Sequence, residues 1–514
     1  RWEDYGNYST YLEGNITYDQ RFGNHSVSAL LLYNQRNYDD GDQVPYRTQG
    51  FAGRAAYTYA DRYIAEFNFG YNGSENFAKG NRFGFFPSIA AGWIVSEEEF
   101  MRPVQNYINK LKLRASYGLA GNDRFYNDDG SQKRFAYITT IGTTDGYKWG
   151  NSNAFYDKGG LREGDPGVES LTWETVKKAN VGIELGLFKM AELQVDFFHE
   201  RREDIFMQRK NIPSSAGFPS APWANYGIVT NKGFDISLDL NKQINKDWFI
   251  SARASVTYAK NKIIEQDEDL GVLGTYRSST GKPVGQIFGL VNDGLYTEAD
   301  FEDVTTGKLK PGLPVPKFSD RVYPGDIKYV DFNGDGEITE TDKTAIGGTV
   351  NPELVYGFGI NLSYKNIDFG AFFQGNGRTY RIIGENQKNF LPGSTIGAEG
   401  NIFTNASDAW TVDNPSQDVF YPRLHMGYNA NNAQVSDWWL KDMSMLRLKN
   451  VELGYSFSKN LIKKAAMEYA RIFVRGTNLL QFSKFDLWDP ELNTSNGLKY
   501  PIMATYSIGL QVRF

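Results

Sequence analysis

The stretch YSIGLQVRF (506–514) alternates apolar and polar side chains up to the last residue. Successive side chains of a β-strand point to opposite faces, so this pattern predicts a strand with one apolar and one polar face. The same alternation recurs upstream, for example in ELQVDF (192–197) and FDISLDL (234–240). Strands of this kind cannot be buried in a protein core on both faces.

About fifteen segments of the chain show this alternation, and most of them extend over ten or more residues. Strands of soluble sheets usually have ~5–6 residues, whereas a tilted strand that crosses a membrane needs ~9–11. The lengths therefore favour strands that span a membrane.

The connections between these segments differ in length on the two sides. Long loops at one end and short turns at the other are typical of an antiparallel transmembrane β-barrel with lipid-facing apolar side chains. A soluble sandwich or propeller also alternates, but a propeller should show a repeat of ~40–50 residues, which we do not find. Short turns are predicted near 21–24, 60–62, 188–191, 241–247 and 365–366, helical connections at 96–109 and 459–467, and long polar loops at 121–171, 204–225, 261–350, 382–440 and 480–500.

Composition agrees with an all-β fold and excludes several functions. The 514 residues are 15% aromatic and include 53 Gly, which favours strands and turns. A net charge of −6 provides no broad basic surface for nucleic acid. The absence of Cys, and only three His, leave little material for thiolate or His-based catalysis, so no enzymatic activity is expected. No apolar run reaches the ~18 residues that a membrane-spanning helix needs.

Several phrases in the last third of the chain are characteristic of a known family. They are NPELVYGFGINLSYKNIDFGAFFQGNGRTY (351–380), LKDMSMLRLKNVELGYSFSKNLIKK (440–464), ARIFVRGTNLL (470–480) and YSIGLQVRF (506–514), preceded in the same order by SEEEFMRPVQNYINKLKLRASYGLAGND (96–123) and NYGIVTNKGFDISLDL (225–240). Together they resemble the barrel of SusC/RagA-family TonB-dependent transporters, and the resemblance covers almost the whole chain.

The resemblance implies a barrel of ~22 strands around a plug domain, of which residues 1–514 would be the C-terminal portion without the plug. It further implies an outer-membrane nutrient importer of a Gram-negative bacterium, with long loops outside the cell. The implied partners are outer-membrane lipid, a SusD-like surface lipoprotein over the loops, and the TonB–ExbB–ExbD system acting through the plug region. Oligosaccharides or oligopeptides would be the cargo, and two transporter–lipoprotein pairs would form a dimer.

Two other functions remain open at the level of sequence. A plug-free porin or a surface adhesin barrel would show the same strands and loops, with diffusion or attachment as its role. A secreted β-rich glycan hydrolase would instead be soluble without detergent. Acidic residues on the polar strand faces, such as Glu184, Asp196, Asp235 and Asp239, are expected to line the barrel interior rather than to act as catalytic carboxylates.

The motif DFNGDGEITETD (331–342) has the spacing of an EF-hand-like calcium loop and lies in the predicted loop 261–350. Asp331, Asn333 and Asp335 occupy ligand positions 1, 3 and 5, Glu337 offers its backbone carbonyl at position 7, and Asp342 closes position 12. Converging oxygen ligands suit Ca²⁺, although Asp in place of Glu shortens the last ligand. We expect a structural calcium ion; an Asp/Asn/Gly-rich turn without metal is the alternative.

Aromatic residues in the predicted loops are candidates for binding cargo, because aromatic faces stack on sugar rings and peptide side chains. Simple packing within the loops is the alternative for each. Trp438 and Trp439, where a loop meets a strand, are expected in an aromatic girdle at the membrane interface. The candidate cargo-binding residues are Trp149, Phe155, Tyr156, Trp223, Trp410 and Tyr428.

One strand departs from simple alternation. Leu446 and Leu448 fall on the opposite parity from Val451 and the residues that follow it. An extra residue in the strand restores the pattern, so a β-bulge is predicted near Lys449 and Asn450.

Overall fold

The computed structural model describes residues 6–39, 41, 45–127, 130–151, 154–218, 220–384, 390–392, 404–463 and 466–514. Its dominant element is one sheet of fifteen strands in which each strand neighbours the next one along the chain. The sheet strands are β1 (Tyr8–Phe22), β2 (His25–Asp39), β3 (Tyr46–Tyr59), β4 (Tyr63–Ser74), β5 (Phe83–Ile94), β6 (Ile108–Asn122), β7 (Glu174–Leu187), β8 (Ala191–Gln208), β9 (Trp223–Gln243), β10 (Trp248–Glu265), β11 (Leu354–Tyr364), β12 (Ile367–Gly377), β13 (Met445–Ser456), β14 (Tyr469–Ser483) and β15 (Thr505–Arg513).

Short turns join the strands at one edge of the sheet, which we call the turn edge, and long connections join them at the other, the loop edge. Two connections at the turn edge contain short helices: 3₁₀ turns at Val95–Glu97 and Glu99–Val104, and α1 at Lys459–Ile462. None of the helices in the described ranges is long and apolar enough to cross a bilayer.

The long connections carry short strands of their own. Within the described residues these form seven two-stranded sheets. Their members are Phe125–Tyr126 with Gln132–Lys133, Ile141–Asn151 with Ala154–Glu163, Gln286–Gly289 with Thr344–Thr349, Asn292–Leu295 with Ile327–Tyr329, Phe301–Asp303 with Lys308–Leu309, Val315–Pro316 with Glu337–Ile338, and Tyr380–Ile382 with Leu440–Asp442.

Packing divides the chain into two compact units, Arg1–Leu238 with Ala259–Gly271, and Asp239–Tyr258 with Val272–Phe514. In the first unit, the register across β5 to β8 places Trp93, Leu113, Ile183 and Val195 in one row. The next row holds Gly92, Arg114, Gly182 and Asp196, on the opposite face. Apolar and ionic rows thus alternate along the strands.

The second unit repeats this arrangement across six strands. One row runs through Ile250, Leu362, Phe369, Leu453, Val474 and Ile508. The adjacent row runs through Ser251, Asn361, Gly370, Glu452, Arg475 and Ser507. The apolar row is largely exposed, with Ile508 77% and Leu453 55% accessible. The predicted β-bulge is confirmed, because the pairing register of β13 shifts between Leu448 and Asn450.

The loop connections of the second unit pack around a true core, which we call the loop core. Tyr329, Tyr421 and Trp439 are at most 3% exposed there, and Leu290 and Ile327 are completely buried. These residues come from connections far apart in sequence, so the long loops form an ordered layer. A smaller cluster around Phe77, Leu171 and Trp173 plays the same part in the first unit.

Candidate functional site

Ion pairs between neighbouring strands cover the polar face of the second unit. Asp239 Oδ1 lies 2.5 Å from Arg253 Nε, and Glu452 pairs with Arg471 at 2.6 Å and with Arg475 at 2.5 Å. The Asp368 carboxylate pairs with Arg471 as well. A depression of about 710 Å³ lies over these side chains. The face is therefore polar but nearly charge-compensated.

The polar face of the first unit shows the same compensation. Lys110 and Lys112 approach the Glu184 carboxylate at 3.1 and 3.4 Å, and Arg114 donates to Asp196 at 2.6 Å. Glu184, Asp196 and Asp239, predicted to line the polar side, thus lie in ladders of opposite charge. Such pairing suits a polar wall, because each carboxylate lies beside a cation.

The motif 331–342 folds into a tight turn that presents several oxygens. Gly334 and Gly336 have positive φ, and their N–H groups donate to Asp331 Oδ1 and Oδ2 at 2.7 and 2.8 Å. Asn333 donates through Nδ2 to Asp335 Oδ2 at 2.8 Å, so these two side chains converge. Asn333 Oδ1 accepts from the Asp335 N–H at 2.9 Å, so both ends of this amide are engaged within the turn.

Asp342 closes the motif from the inside. Its side chain is completely buried and accepts hydrogen bonds from the N–H groups of Phe332 (3.0 Å) and Thr339 (2.8 Å). Burial raises the pKa of the neighbouring Tyr276, and the charges of Asp342, Asp331 and Asp335 add to this shift.

Across the described ranges no three acidic or His side chains are grouped as metal ligands. The predicted set instead combines carboxylates with one amide and one backbone oxygen. These donors are hard oxygens from a single short segment, which is the ligand chemistry that Ca²⁺ prefers.

The candidate cargo-binding aromatics of the first unit lie in different environments. Trp149 is 57% exposed and packs edge-on against Tyr147 in the hairpin Ile141–Glu163. Phe155 and Tyr156 pair with Gly150 and Trp149 through the backbone of that hairpin, and their side chains lie outside the described residues. Trp223 is half-buried and stacks on Phe206 at 4.7 Å. Of the two described side chains in this set, Trp149 has an exposed ring and Trp223 is half-buried.

The second unit buries most of its candidates. Trp410 is 6% exposed in the loop core, which corresponds to the packing alternative, whereas Tyr428 remains 49% exposed. The girdle prediction for Trp438 and Trp439 is wrong. Trp439 is 3% exposed in the loop core, and Trp438 donates its indole N–H to the Phe420 carbonyl at 3.1 Å.

Aromatic residues at the turn edge were missed as girdle candidates. Tyr59, Tyr63 and Trp93 form a stacked series on neighbouring strands with ring centroids 6.4 Å apart, and all three are partly exposed. A Tyr or Trp at the turn end of an alternating strand was the signal that could have found them.

A buried polar network was also missed. Asp326, completely buried, accepts from Asn432 Nδ2 at 2.8 Å and lies 2.5 Å from His425 Nε2. The Tyr323 N–H donates to its second oxygen at 2.8 Å. No local pattern reveals this network, because His425 and Asn432 lie about a hundred residues from Asp326 in the chain.

Comparison with known proteins gives one consistent class. No family model matches the sequence. The TonB-dependent receptor P26 of Formosa agariphila is 30% identical over 506 residues, which cover 93% of this chain and 47% of that protein. The TonB-dependent receptor SusC of Bacteroides thetaiotaomicron is 25% identical over 489 residues, which cover 92% of this chain and 45% of that protein. The chain thus spans about half the length of these curated relatives.

Among solved structures, the RagAB peptide importer in its closed-closed state aligns with a TM-score of 0.73 at 22% identity, over 98% of this chain and 55% of that one. With the apolar and ionic rows, this fold defines the wall of a transmembrane antiparallel β-barrel. The sequence-based recognition is confirmed: the curated relatives are TonB-dependent receptors, SusC among them, and the chain resembles the barrel of this SusC/RagA family. The relatives compared are named as receptors and importers, not as enzymes.

Proposed function

We propose that the whole protein is a TonB-dependent outer-membrane importer of oligosaccharides or oligopeptides, and that this chain forms the C-terminal part of its barrel wall. The supporting observation is the sheet of fifteen strands, in which exposed apolar rows alternate with ionic rows across β5 to β8 and across β10 to β15. An apolar face suits lipid, and a charge-paired polar face suits a water-filled interior around a plug. No covalent step is required, because import consists of binding and gated release.

In this proposal the loop edge faces the outside of a Gram-negative cell and a SusD-like surface lipoprotein covers it. The TonB–ExbB–ExbD system acts through a plug region outside this chain, and two transporter–lipoprotein pairs form a dimer. The ordered loop core supports this arrangement, since a packed layer offers a defined surface to a partner.

Uptake of fluorescently labelled oligosaccharide and oligopeptide pools by the native host tests the proposal. Deleting the gene and deleting tonB are both expected to abolish accumulation of one pool, while cargo still binds to the surface of tonB-deleted cells. Uptake that continues without TonB would instead support the plug-free porin. Attachment of cells without any uptake would support the adhesin.

We further propose that residues 331–342 bind a structural Ca²⁺ through Asp331, Asn333, Asp335, Asp342 and the Glu337 carbonyl. The ion would fix the long connection between β10 and β11. Tyr276 provides a built-in probe, because its hydroxyl donates to the Thr341 carbonyl at 2.6 Å and its ring lies 5.4 Å from that of Phe332.

Terbium luminescence of the full-length protein tests this site. Excitation of tyrosine should sensitise bound Tb³⁺, and added Ca²⁺ should displace it. The double variant Asp331→Ala, Asp335→Ala should lose the signal, whereas Glu340→Gln should keep it. Glu340 is the matched control because it lies in the same motif, is exposed, and pairs with Lys343 instead. Equal luminescence from both variants would contradict the calcium proposal.

A further inference from the structure

Four side chains of the first unit form a continuous stack on the polar face near the loop edge. Tyr38 of β2 and Tyr46 of β3 have ring centroids 5.8 Å apart. The Arg36 guanidinium lies 5.4 Å from the Tyr38 ring, and the Arg134 guanidinium lies 3.5 Å from the Tyr46 ring. The order is therefore Arg36, Tyr38, Tyr46, Arg134, with a cation at each end.

The register of the strands explains this stack. Tyr38 and Tyr46 are directly opposite in the β2–β3 ladder, and Arg36 lies two residues before Tyr38 on the same face. Arg134 arrives from the connection after β6 and is fixed by donation to the Pro45 carbonyl at 3.1 Å. The stack borders a cavity of about 410 Å³, whose lining adds two arginines, two carboxylates and several hydroxyl and amide side chains. The four arginines of the lining outnumber its carboxylates, Glu75 and Asp123, and Glu75 is paired with Arg47 at 3.7 Å.

Arg36 differs from the other cations of the polar face. Arg54 on β3 and Arg114 on β6 each donate to a carboxylate at 2.6 Å. Arg36 instead donates through Nε to the neutral Ser9 hydroxyl at 3.3 Å, and no described carboxylate forms an ion pair with it. The charge of Arg36 thus borders the cavity and is not paired with a carboxylate of a neighbouring strand in the described residues.

The row that contains Arg36 supplies further donors. Thr48 pairs with Arg36 across the β2–β3 ladder and Ser74 pairs with Thr48 across the β3–β4 ladder, so their hydroxyls lie on the same face. A carboxylate accepts several hydrogen bonds in one plane, and a guanidinium matches that geometry. The adjacent Tyr38 ring offers an apolar face to the group that bears the carboxylate.

From this geometry we infer that the cavity beside Arg36 and Tyr38 is a binding subsite for a carboxylate-bearing unit of the cargo. The inference rests on the proposed import function and narrows its substrate class to acidic oligomers. A uronate of an oligosaccharide and an acidic residue of a peptide share the required chemistry. The alternative role, anchoring of a loop, belongs to Arg134 rather than to Arg36, which lies on a strand and is exposed.

Equilibrium binding to the purified full-length protein in detergent tests the subsite with two pairs of probes. Trigalacturonate is compared with neutral galactotriose, and triglutamate with triglutamine. One acidic probe should bind more tightly than its neutral counterpart, and the preferred pair identifies the cargo as glycan or peptide. Arg36→Gln should weaken binding of that probe about tenfold and reduce its dependence on salt, because a charge-assisted contact is lost.

Arg54→Gln is the matched control, since it removes another exposed guanidinium from the same face, one that is already paired with Glu66. It should bind the acidic probe as the wild type does, and both variants should show the same heat-modifiable migration as folded barrels. Equal affinity of acidic and neutral probes, or of Arg36→Gln and wild type, would overturn the inference. Because binding needs no energy, failure of the import proposal would appear separately, as uptake that persists without TonB.

Discussion

The sheet and the loop core of the second unit contain the same kinds of apolar residues but place them in opposite ways. On the sheet, Ile508 and Leu510 are 77% and 67% exposed, whereas Tyr421 and Trp439 of the loop core are at most 3% exposed. The apolar face of the sheet is therefore suited to contact with lipid. The loop layer instead buries its apolar residues, as a protein surrounded by water does. Four substitutions test this difference.

The largest effect is expected in the loop core. Trp439→Ala should destabilise the loop layer by about 3–5 kcal/mol, because it removes a buried indole and leaves a cavity. Limited proteolysis of the full-length protein should show faster cleavage of the loops. Met426→Ala, at a side chain that is 99% exposed in the same connection, should change nothing. Equal protease resistance of both variants would show that the loop core is not a packed layer.

A charge on the apolar face of the sheet should lower stability nearly as much as Trp439→Ala does. Val181→Arg, at an exposed position in the middle of β7, should lower barrel stability by about 2–4 kcal/mol, since an arginine would enter the hydrocarbon. Asn180→Arg, one residue away on the polar face, is the control. Reversible unfolding in lipid vesicles measures both. A larger loss in Asn180→Arg would reverse the assignment of the two faces.

A glycine in the loop layer should show a smaller effect. Gly325 has φ +91°, and a Cβ built there would lie 2.3 Å from the Trp410 ring. Gly325→Ala should cost about 1–3 kcal/mol more than Gly312→Ala, because Gly312 has a similar φ of +90° but open space around it. The two variants share the backbone strain, so the difference in urea midpoint isolates packing against Trp410. Identical urea midpoints for the two variants would contradict close packing of Gly325 against Trp410.

The smallest expected effect is a pH dependence in the first unit. Burial raises the pKa of Asp267, but donation from Arg209 at 2.7 Å and from the Lys210 N–H at 2.8 Å outweighs it and lowers the pKa to about 2. A depressed pKa stabilises the fold above the unfolded-state value of about 4, and this contribution is lost as the pH falls towards 2.

Wild type should therefore lose about 1–2 kcal/mol at this site between pH 5 and pH 2. Asp267→Asn should be less stable at pH 7, and the difference from wild type should shrink on acidification. Parallel pH profiles of stability for the two proteins, measured by unfolding in detergent, would show that Asp267 does not titrate in this range.

The sequence predicts the sheet well because each strand carries its own signal. Alternation found about fifteen strands, and the parity change between Leu448 and Val451 located the bulge. Loop packing has no such local signal. Trp410, Trp438 and Trp439 pack with partners from distant connections, and Asp326 meets His425 and Asn432 only through the folded loops. A sequence pattern can indicate a candidate site where one short segment contains all its residues, as in 331–342, and not where several loops contribute.

Single-cysteine scanning of β7 tests the central claim most directly, and residues 1–514 contain no Cys. Spin labels placed one at a time from Asn180 to Leu185 in the full-length protein in lipid vesicles would be probed with oxygen and with a water-soluble nickel complex. We predict alternation with period two: labels at Val181, Ile183 and Leu185 accessible to oxygen in lipid, and labels at the positions between them protected from it. Uniform exposure to the nickel complex along the strand would contradict a membrane-spanning wall.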